Sequence, residues 1–202
     1  MKLYYAPGAC SLSPHIVLCE TGLPYELVKV DLDSKRTESG EDFHRINPLG
    51  YVPALELEDG VVLLEGPAIV QYLADQAPAR QLVPPPGTFP RYQLQQWLNF
   101  ISTELHKGCG NLFQPDLPDE VKESFRRLLE KRFAYTAVQL SGQDYLMGDV
   151  FTVADAYLFV VMSWRDYVGL DLSPWPVLLK YFDRIAERPA VGEALRQEGL
   201  TL

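Results

Sequence analysis

Between residues 82 and 90 the chain reads Leu82-Val83-Pro84-Pro85-Pro86-Gly87-Thr88-Phe89-Pro90. Proline lacks a backbone N–H and has a fixed φ, so a run this dense supports neither a helix nor a sheet ladder and acts as a stiff connector. The character of the sequence changes across it. Before it, short extended segments alternate with amphipathic ones; after about residue 90, apolar residues recur at helical spacing. The 202 residues are therefore expected to form a mixed domain, 1–80, a linker, 81–90, and an all-helical domain, 91–202, each able to bury a core.

In the first domain, residues 2–5 read as a strand, 12–21 as a helix stopped by Gly22, and 26–31 as a second strand carrying Leu27, Val28 and Val30. The turn-rich segment Asn47-Pro48-Leu49-Gly50-Tyr51-Val52-Pro53 leads into Ala54-Leu55-Glu56-Leu57. Asp59-Gly60 then separates that run from Val61-Val62-Leu63-Leu64, a hairpin signal. Gly66-Pro67 opens a helix with Ile69, Val70 and Leu73 on one face. The order is βαβ, a connecting segment expected to hold a helix, then ββα. Beyond the linker, residues 92–113, 120–140, 153–168, 177–187 and 191–197 read as helices.

Composition narrows the function. With 27 acidic against 18 basic residues and a net charge of −9, the chain repels phosphate backbones and anionic membrane surfaces. No nucleic-acid or membrane partner is expected. No apolar run reaches the roughly 18 residues of a membrane span, and residues 1–8 lack the pattern of a signal peptide, which predicts a cytoplasmic protein. The three cysteines, Cys10, Cys19 and Cys109, form neither an even framework nor a CxxC pair, so no disulfide scaffold and no metal site are expected.

Several positions can carry chemistry, and each also has a purely structural reading. Cys10, in Pro7-Gly8-Ala9-Cys10-Ser11 between strand and helix, sits where free N–H groups and the helix dipole favour an anionic sulfur; it also suits a small loop filler. Val52-Pro53 before an apolar strand fits a cis peptide that offers a backbone edge to an extended peptide, or a simple turn. At Glu65-Gly66-Pro67 the helix start has no side-chain cap, so an outside carboxylate can take its N–H groups while Glu65 pairs with an ammonium; an ordinary helix start is the alternative. Asn99, Thr103, His106 and Lys107 recur along one helical stripe, facing either a cleft or solvent. Thr152 and Asp155 form a capping box, which assigns Asp155 to folding. His15 and Cys19, four apart, are read as core packing.

Taken in order, Pro7-Gly8-Ala9-Cys10-Ser11, Asn47-Pro48 with Val52-Pro53-Ala54-Leu55, Glu65-Gly66 with Ala68-Ile69, Asn99 with Glu104-Leu105-His106-Lys107, and Phe151-Thr152-Val153-Ala154-Asp155-Ala156 resemble the bacterial beta class of the glutathione transferases over nearly the whole chain. The resemblance implies a thioredoxin-like N-terminal domain, an all-α C-terminal domain and a homodimer. It implies that Cys10 and His106 approach the glutathione sulfur and that Val52, followed by Pro53, pairs with the tripeptide backbone. Glu65 and Gly66 hold the γ-glutamyl end, Lys35 meets the glycine carboxylate, and Asn99 and Thr103 line the same cleft. Many members of the family carry Ser or Thr where this chain has Gly66, so backbone N–H groups must hold the γ-glutamyl carboxylate unaided.

The activity so implied is conjugation of the glutathione thiolate to a hydrophobic electrophile in detoxification, with glutathione as co-substrate and no metal. Tyr4 and Tyr5 are alternative hydroxyl donors to the thiolate, and Tyr5, Phe113, Trp164 and Tyr167 are candidates for the second-substrate wall. Monothiol disulfide exchange at Cys10, dehalogenation of chlorinated aromatics (from the likeness at Tyr72-Leu73-Ala74-Asp75 and Leu172-Ser173-Pro174-Trp175-Pro176) and a non-catalytic glutathione-binding or regulatory role are the alternative functions.

Overall fold

The computed structural model describes residues 1–201. Its backbone contacts gather the chain into two units, one made of Met1–Gln81 and the segment from Arg188 on, the other of Leu82–Glu187. The division at Gln81 falls within the expected linker. The last helix keeps company with the first unit, whereas the sequence placed it with the helical domain.

In the first unit, strands β1 (Lys2–Tyr5), β2 (Glu26–Asp31), β3 (Arg36–Thr37), β4 (Ala54–Glu56) and β5 (Val62–Leu64) form one sheet in the order β3-β2-β1-β4-β5. β1 runs parallel to β2 and antiparallel to β4, and β4 and β5 form the hairpin around Asp59-Gly60. Parallel neighbours need a crossover, here helix α1 (Leu12–Thr21), which ends at Gly22 in a left-handed conformation with φ 71°. Helix α2 (Gly66–Asp75) follows β5, with Ile69, Val70, Leu73 and Ala74 buried. The helix expected between β2 and β4 is only a single 3-10 turn, Phe43–Arg45, capped by the Asp42 side chain. β3 is an addition. Two residues carry no periodicity, so nothing in the sequence announces such a strand.

α1 is buried on nearly every side, including the polar Ser13, His15 and Thr21, because it packs against both α2 and the last helix of the chain, α9 (Pro189–Glu198). Numbered between them are α3 (Phe89–Phe100), α4 (Lys107–Leu112), α5 (Asp119–Gln139), α6 (Val153–Ser163), α7 (Arg165–Val168) and α8 (Pro176–Ala186), all in the second unit. α6 is buried on every side from Val153 to Met162 and forms that unit's core, with Phe159 stacked on Phe182 of α8 at 4.6 Å. The capping box at its start is present. Asp155 accepts from the Thr152 N–H and hydroxyl, the Leu146 N–H and the Tyr181 hydroxyl, each at 2.8 Å, and so ties three segments together.

What fastens α9 to the first unit is a buried ion pair. His15 Nδ1 lies 2.8 Å from Glu198 Oε1, and both side chains are fully shielded from solvent. Burial alone lowers the affinity of His15 for its proton, but hydrogen bonding with Cys19, Glu198 and Gln197 outweighs it and raises the pKa to about 9. The folded state thus holds this proton more tightly than the unfolded chain, whose histidine titrates near 6.5. The resulting stabilisation is complete below about pH 6.5 and is lost as the pH rises through about 9; it is worth roughly 3 kcal/mol at most. Urea unfolding from pH 6 to 9.5 is expected to show this decline in the wild type and a flatter profile in His15→Gln. Parallel profiles would refute the assignment.

Candidate functional site

The turn that carries Cys10 is held from both ends. After β1 the buried Ser11 hydroxyl donates to the Ala6 carbonyl at 3.2 Å and accepts the Ala6 N–H at 3.1 Å, which closes the turn on itself. Gly8 takes a φ of 71°, a left-handed conformation costly for any side chain, and its N–H donates to Glu198 Oε2 at 2.9 Å. Cys10 is therefore fixed one residue before the N-cap Ser11 of α1, its carbonyl accepting from the Ser13 N–H and hydroxyl. Its thiol donates to the Val52 carbonyl at 3.1 Å.

Val52 is joined to Pro53 by a cis peptide bond, and both residues are buried at the entrance to β4. Asn47 shapes the approach, its side chain donating to the Tyr51 carbonyl at 2.7 Å and accepting from the Leu49 N–H at 3.1 Å. Lys35, with a φ of 56°, donates to the Gly50 carbonyl at 3.1 Å and lies over the Tyr51 ring, so its ammonium is held beside the same segment. Glu65 is exposed and has φ 69° and ψ 111°, an unusual conformation for a residue with a side chain. Its carbonyl receives the Ala68 and Ile69 N–H groups, and Gly66 faces Pro53: a Cβ placed on it would meet Pro53 Cγ at 3.8 Å. Cys10, Val52, Pro53, Gly66 and Glu65 thus follow one another along a continuous strip of the first unit.

In the second unit the expected stripe is broken. Residues 92–113 are not one regular helix: α3 passes into a π-helical segment, Ile101–His106, before α4. The wider turn shifts side chains out of α-helical register. Asn99 and Thr103 stay exposed, the Thr103 hydroxyl donating to the Asn99 carbonyl at 3.0 Å. His106 turns inward instead. Its Nδ1 lies 2.6 Å from the Tyr157 hydroxyl, and its ring packs against Trp164 at 5.0 Å. Burial, reinforced by the neighbouring charge of Lys107, lowers its pKa to about 4, so the imidazole is neutral at pH 7.

The remaining candidates separate. Phe113 packs on Trp164 at 5.7 Å, so these two form one aromatic wall with His106, whereas Tyr167 is 82% exposed on α7. Tyr5 belongs to the first unit, buried with its ring near His15. The Tyr4 hydroxyl is committed to Glu56 at 2.6 Å, and burial and that carboxylate hold its proton well above the usual phenol range, which removes it as a donor. Burial pushes the Cys109 thiol up to about 12. Ser11, Glu198 and Tyr157 position candidate groups and were not foreseen. Only Ser11, adjacent to Cys10 in sequence, gave any signal.

Residues 1–75 match the family model "Glutathione S-transferase, N-terminal domain" and residues 100–189 the model "Glutathione S-transferase, C-terminal domain". The chain belongs to the glutathione S-transferase family. It is 50% identical over 200 residues to the glutathione S-transferase GstA of Escherichia coli O157:H7, covering 99% of this chain and all of that one. Among solved structures, the ternary complex of BphK, a bacterial GST, shares 59% identity with a TM-score of 0.98 over 99% of this chain and 100% of that one. A sphingomonad glutathione S-transferase complexed with glutathione shares 48% identity with a TM-score of 0.96, both chains being fully covered.

Gly66, at the start of α2, offers no hydroxyl to a bound carboxylate. Its φ lies outside the left-handed region and the nearest atom to an added Cβ is at ordinary contact distance, so a serine fits there without strain. A hydroxyl-to-carboxylate hydrogen bond contributes about 1.5–3 kcal/mol. Calorimetric titration should find glutathione bound roughly tenfold more tightly by Gly66→Ser than by wild type; unchanged or weaker binding would show that the γ-glutamyl carboxylate does not sit at this helix start.

Proposed function

We propose that this protein is a beta-class glutathione transferase that lays glutathione along the strip of the first unit and transfers its thiolate to a hydrophobic electrophile. The observation that carries the reading is the position of Cys10 Sγ, 3.1 Å from the Val52 carbonyl, on the backbone edge that an extended tripeptide pairs with. In this reading Val52 pairs with the cysteinyl unit. Glu65 takes the ammonium, the Gly66 N–H and the positive end of α2 take the γ-glutamyl carboxylate, and Lys35 takes the glycine carboxylate. From the helical unit, His106 meets the sulfur, Asn99 and Thr103 border the tripeptide, and Phe113 and Trp164 contribute to the second-substrate wall.

The chemistry asks for a modest free energy. A free thiol near pKa 8.5 is only about 3% ionised at pH 7. Lowering it by about two units requires roughly 2.7 kcal/mol of preferential stabilisation of the thiolate. The start of α1 and hydrogen-bond donors around the sulfur can supply that without a formal charge. The protein acts in the cytoplasm, in detoxification, as a homodimer. Exposed Tyr92 on α3 and Tyr135 and Val138 on α5 give a second copy apolar surface to cover.

Monothiol exchange is a second reading favoured by the place of Cys10 at the start of α1. The Cys10 thiolate attacks the glutathionyl sulfur of a mixed disulfide, forming the Cys10–glutathione disulfide and releasing the other thiol; a second glutathione thiolate then frees Cys10 and leaves as glutathione disulfide. A panel of a chloronitrobenzene, a chlorinated ring acid and a mixed disulfide, each with glutathione, separates the readings. Conjugation of the chloronitrobenzene by both wild type and Cys10→Ala is expected, with disulfide exchange lost in the variant. Inactivity of wild type on the whole panel, without glutathione binding, would contradict both.

A further inference from the structure

Tyr157 lies on α6, buried to 2% exposure, and its hydroxyl is 2.6 Å from His106 Nδ1. The two rings meet edge to face at 5.8 Å, and Trp164 closes on the imidazole from another direction at 5.0 Å, so the histidine ring has little room to turn. Among the described residues, the titratable groups that act on it are Tyr157 from α6 and Lys107, the next residue along the chain and the first of α4. Lys107 repels a second positive charge, which with burial keeps the imidazole neutral.

A neutral imidazole has one N–H donor and one bare nitrogen acceptor, and which is which depends on the hydrogen bond each nitrogen makes. Two arrangements are available here. Either the Nδ1–H donates to the phenol oxygen, or the phenol O–H donates to a bare Nδ1. The contact is a short one at 2.6 Å, which suits a strong donor and a strong acceptor. Acidity decides between the two arrangements: a phenol O–H is a much stronger donor than a neutral imidazole N–H, and the imidazole nitrogen is a better acceptor than the phenol oxygen.

We infer that Tyr157 is a positioning residue: its hydroxyl donates to His106 Nδ1, holds the ring as the Nε2–H tautomer, and makes His106 a hydrogen-bond donor to its ligand. Resting on the reading that His106 meets the glutathione sulfur, this assigns the histidine the opposite of a general base's role. The bound thiol loses its proton to solvent, and Nε2–H then stabilises the sulfur anion. The O–H dipole of Tyr157, pointed at Nδ1, strengthens that donation by polarising the ring.

The test has two parts. Nitrogen-15 NMR of the ligand-free wild type, with the His106 signals assigned by their loss in His106→Asn, reads the tautomer directly. A bare Nδ1 and a protonated Nε2 are expected, and a protonated Nδ1 would overturn the inference. In Tyr157→Phe, the apparent pKa of the bound thiol, read from the pH profile at saturating glutathione, should rise by about one unit and kcat at pH 7 should fall roughly threefold, with KM for glutathione nearly unchanged. An unchanged pH profile in a folded, glutathione-binding variant would also overturn it. If the wild type neither binds nor turns over glutathione, the functional reading falls, while the NMR experiment still decides the tautomer.

Discussion

One carboxylate holds the functional end of the first unit together. Glu198 accepts the Gly8 N–H at 2.9 Å through one oxygen and engages His15 at 2.8 Å through the other. It therefore fixes the loop before Cys10 and the helix after it at the same time. Both partners are buried, and removing one side of a buried pair leaves an uncompensated charge at a cost of about 3–5 kcal/mol. The Ser11 bridge to Ala6 closes the turn from within. With Gly8 and Ser11 both held, Cys10 reaches Val52, and the strip from the thiol to Glu65 becomes continuous. The last helix of the chain is thus part of the scaffold of its first loop.

The electrostatic character of the candidate site follows from burial. His106 is neutral because partial burial of its ring against Tyr157 and Trp164 and the nearby charge of Lys107 both disfavour its protonation. In the proposed site it therefore serves as a neutral donor, and hydrogen bonds to an anion are stronger than those between neutral groups. The same rule in reverse governs Asp155. That carboxyl is fully enclosed and its pKa is raised by burial, yet four donors converge on it, and it joins the start of α6 to Leu146 and Tyr181. The converging donors assign that buried carboxyl to folding.

Much of this was legible in the sequence because it is local. β1, α1 and β2 follow from runs of apolar residues ended by Gly22 and by turn residues, and the start of α2 follows from proline placement, whereas Val52-Pro53 fits a cis bond and a simple turn alike, and only the fold shows it cis. The Thr152–Asp155 box is a four-residue pattern with one physical meaning. What escaped is what sequence spacing does not encode. The π-helical segment at Ile101–His106 breaks the period on which the stripe of Asn99, Thr103 and His106 was read. Glu198 and His15 are separated by 183 residues, and Tyr157 and His106 by 51, so only the folded chain brings them together. The affiliation of α9 with the first unit has the same cause.

The site we propose stabilises the glutathione thiolate with hydrogen-bond donors and dipoles rather than with charge. The ultraviolet absorbance of the thiolate in the enzyme–glutathione complex, titrated against pH with the S-methylglutathione complex as blank, measures this directly. The predicted result is a bound-thiol pKa about two units below the free value near 8.5. A bound thiol that titrates where it does in water would contradict it.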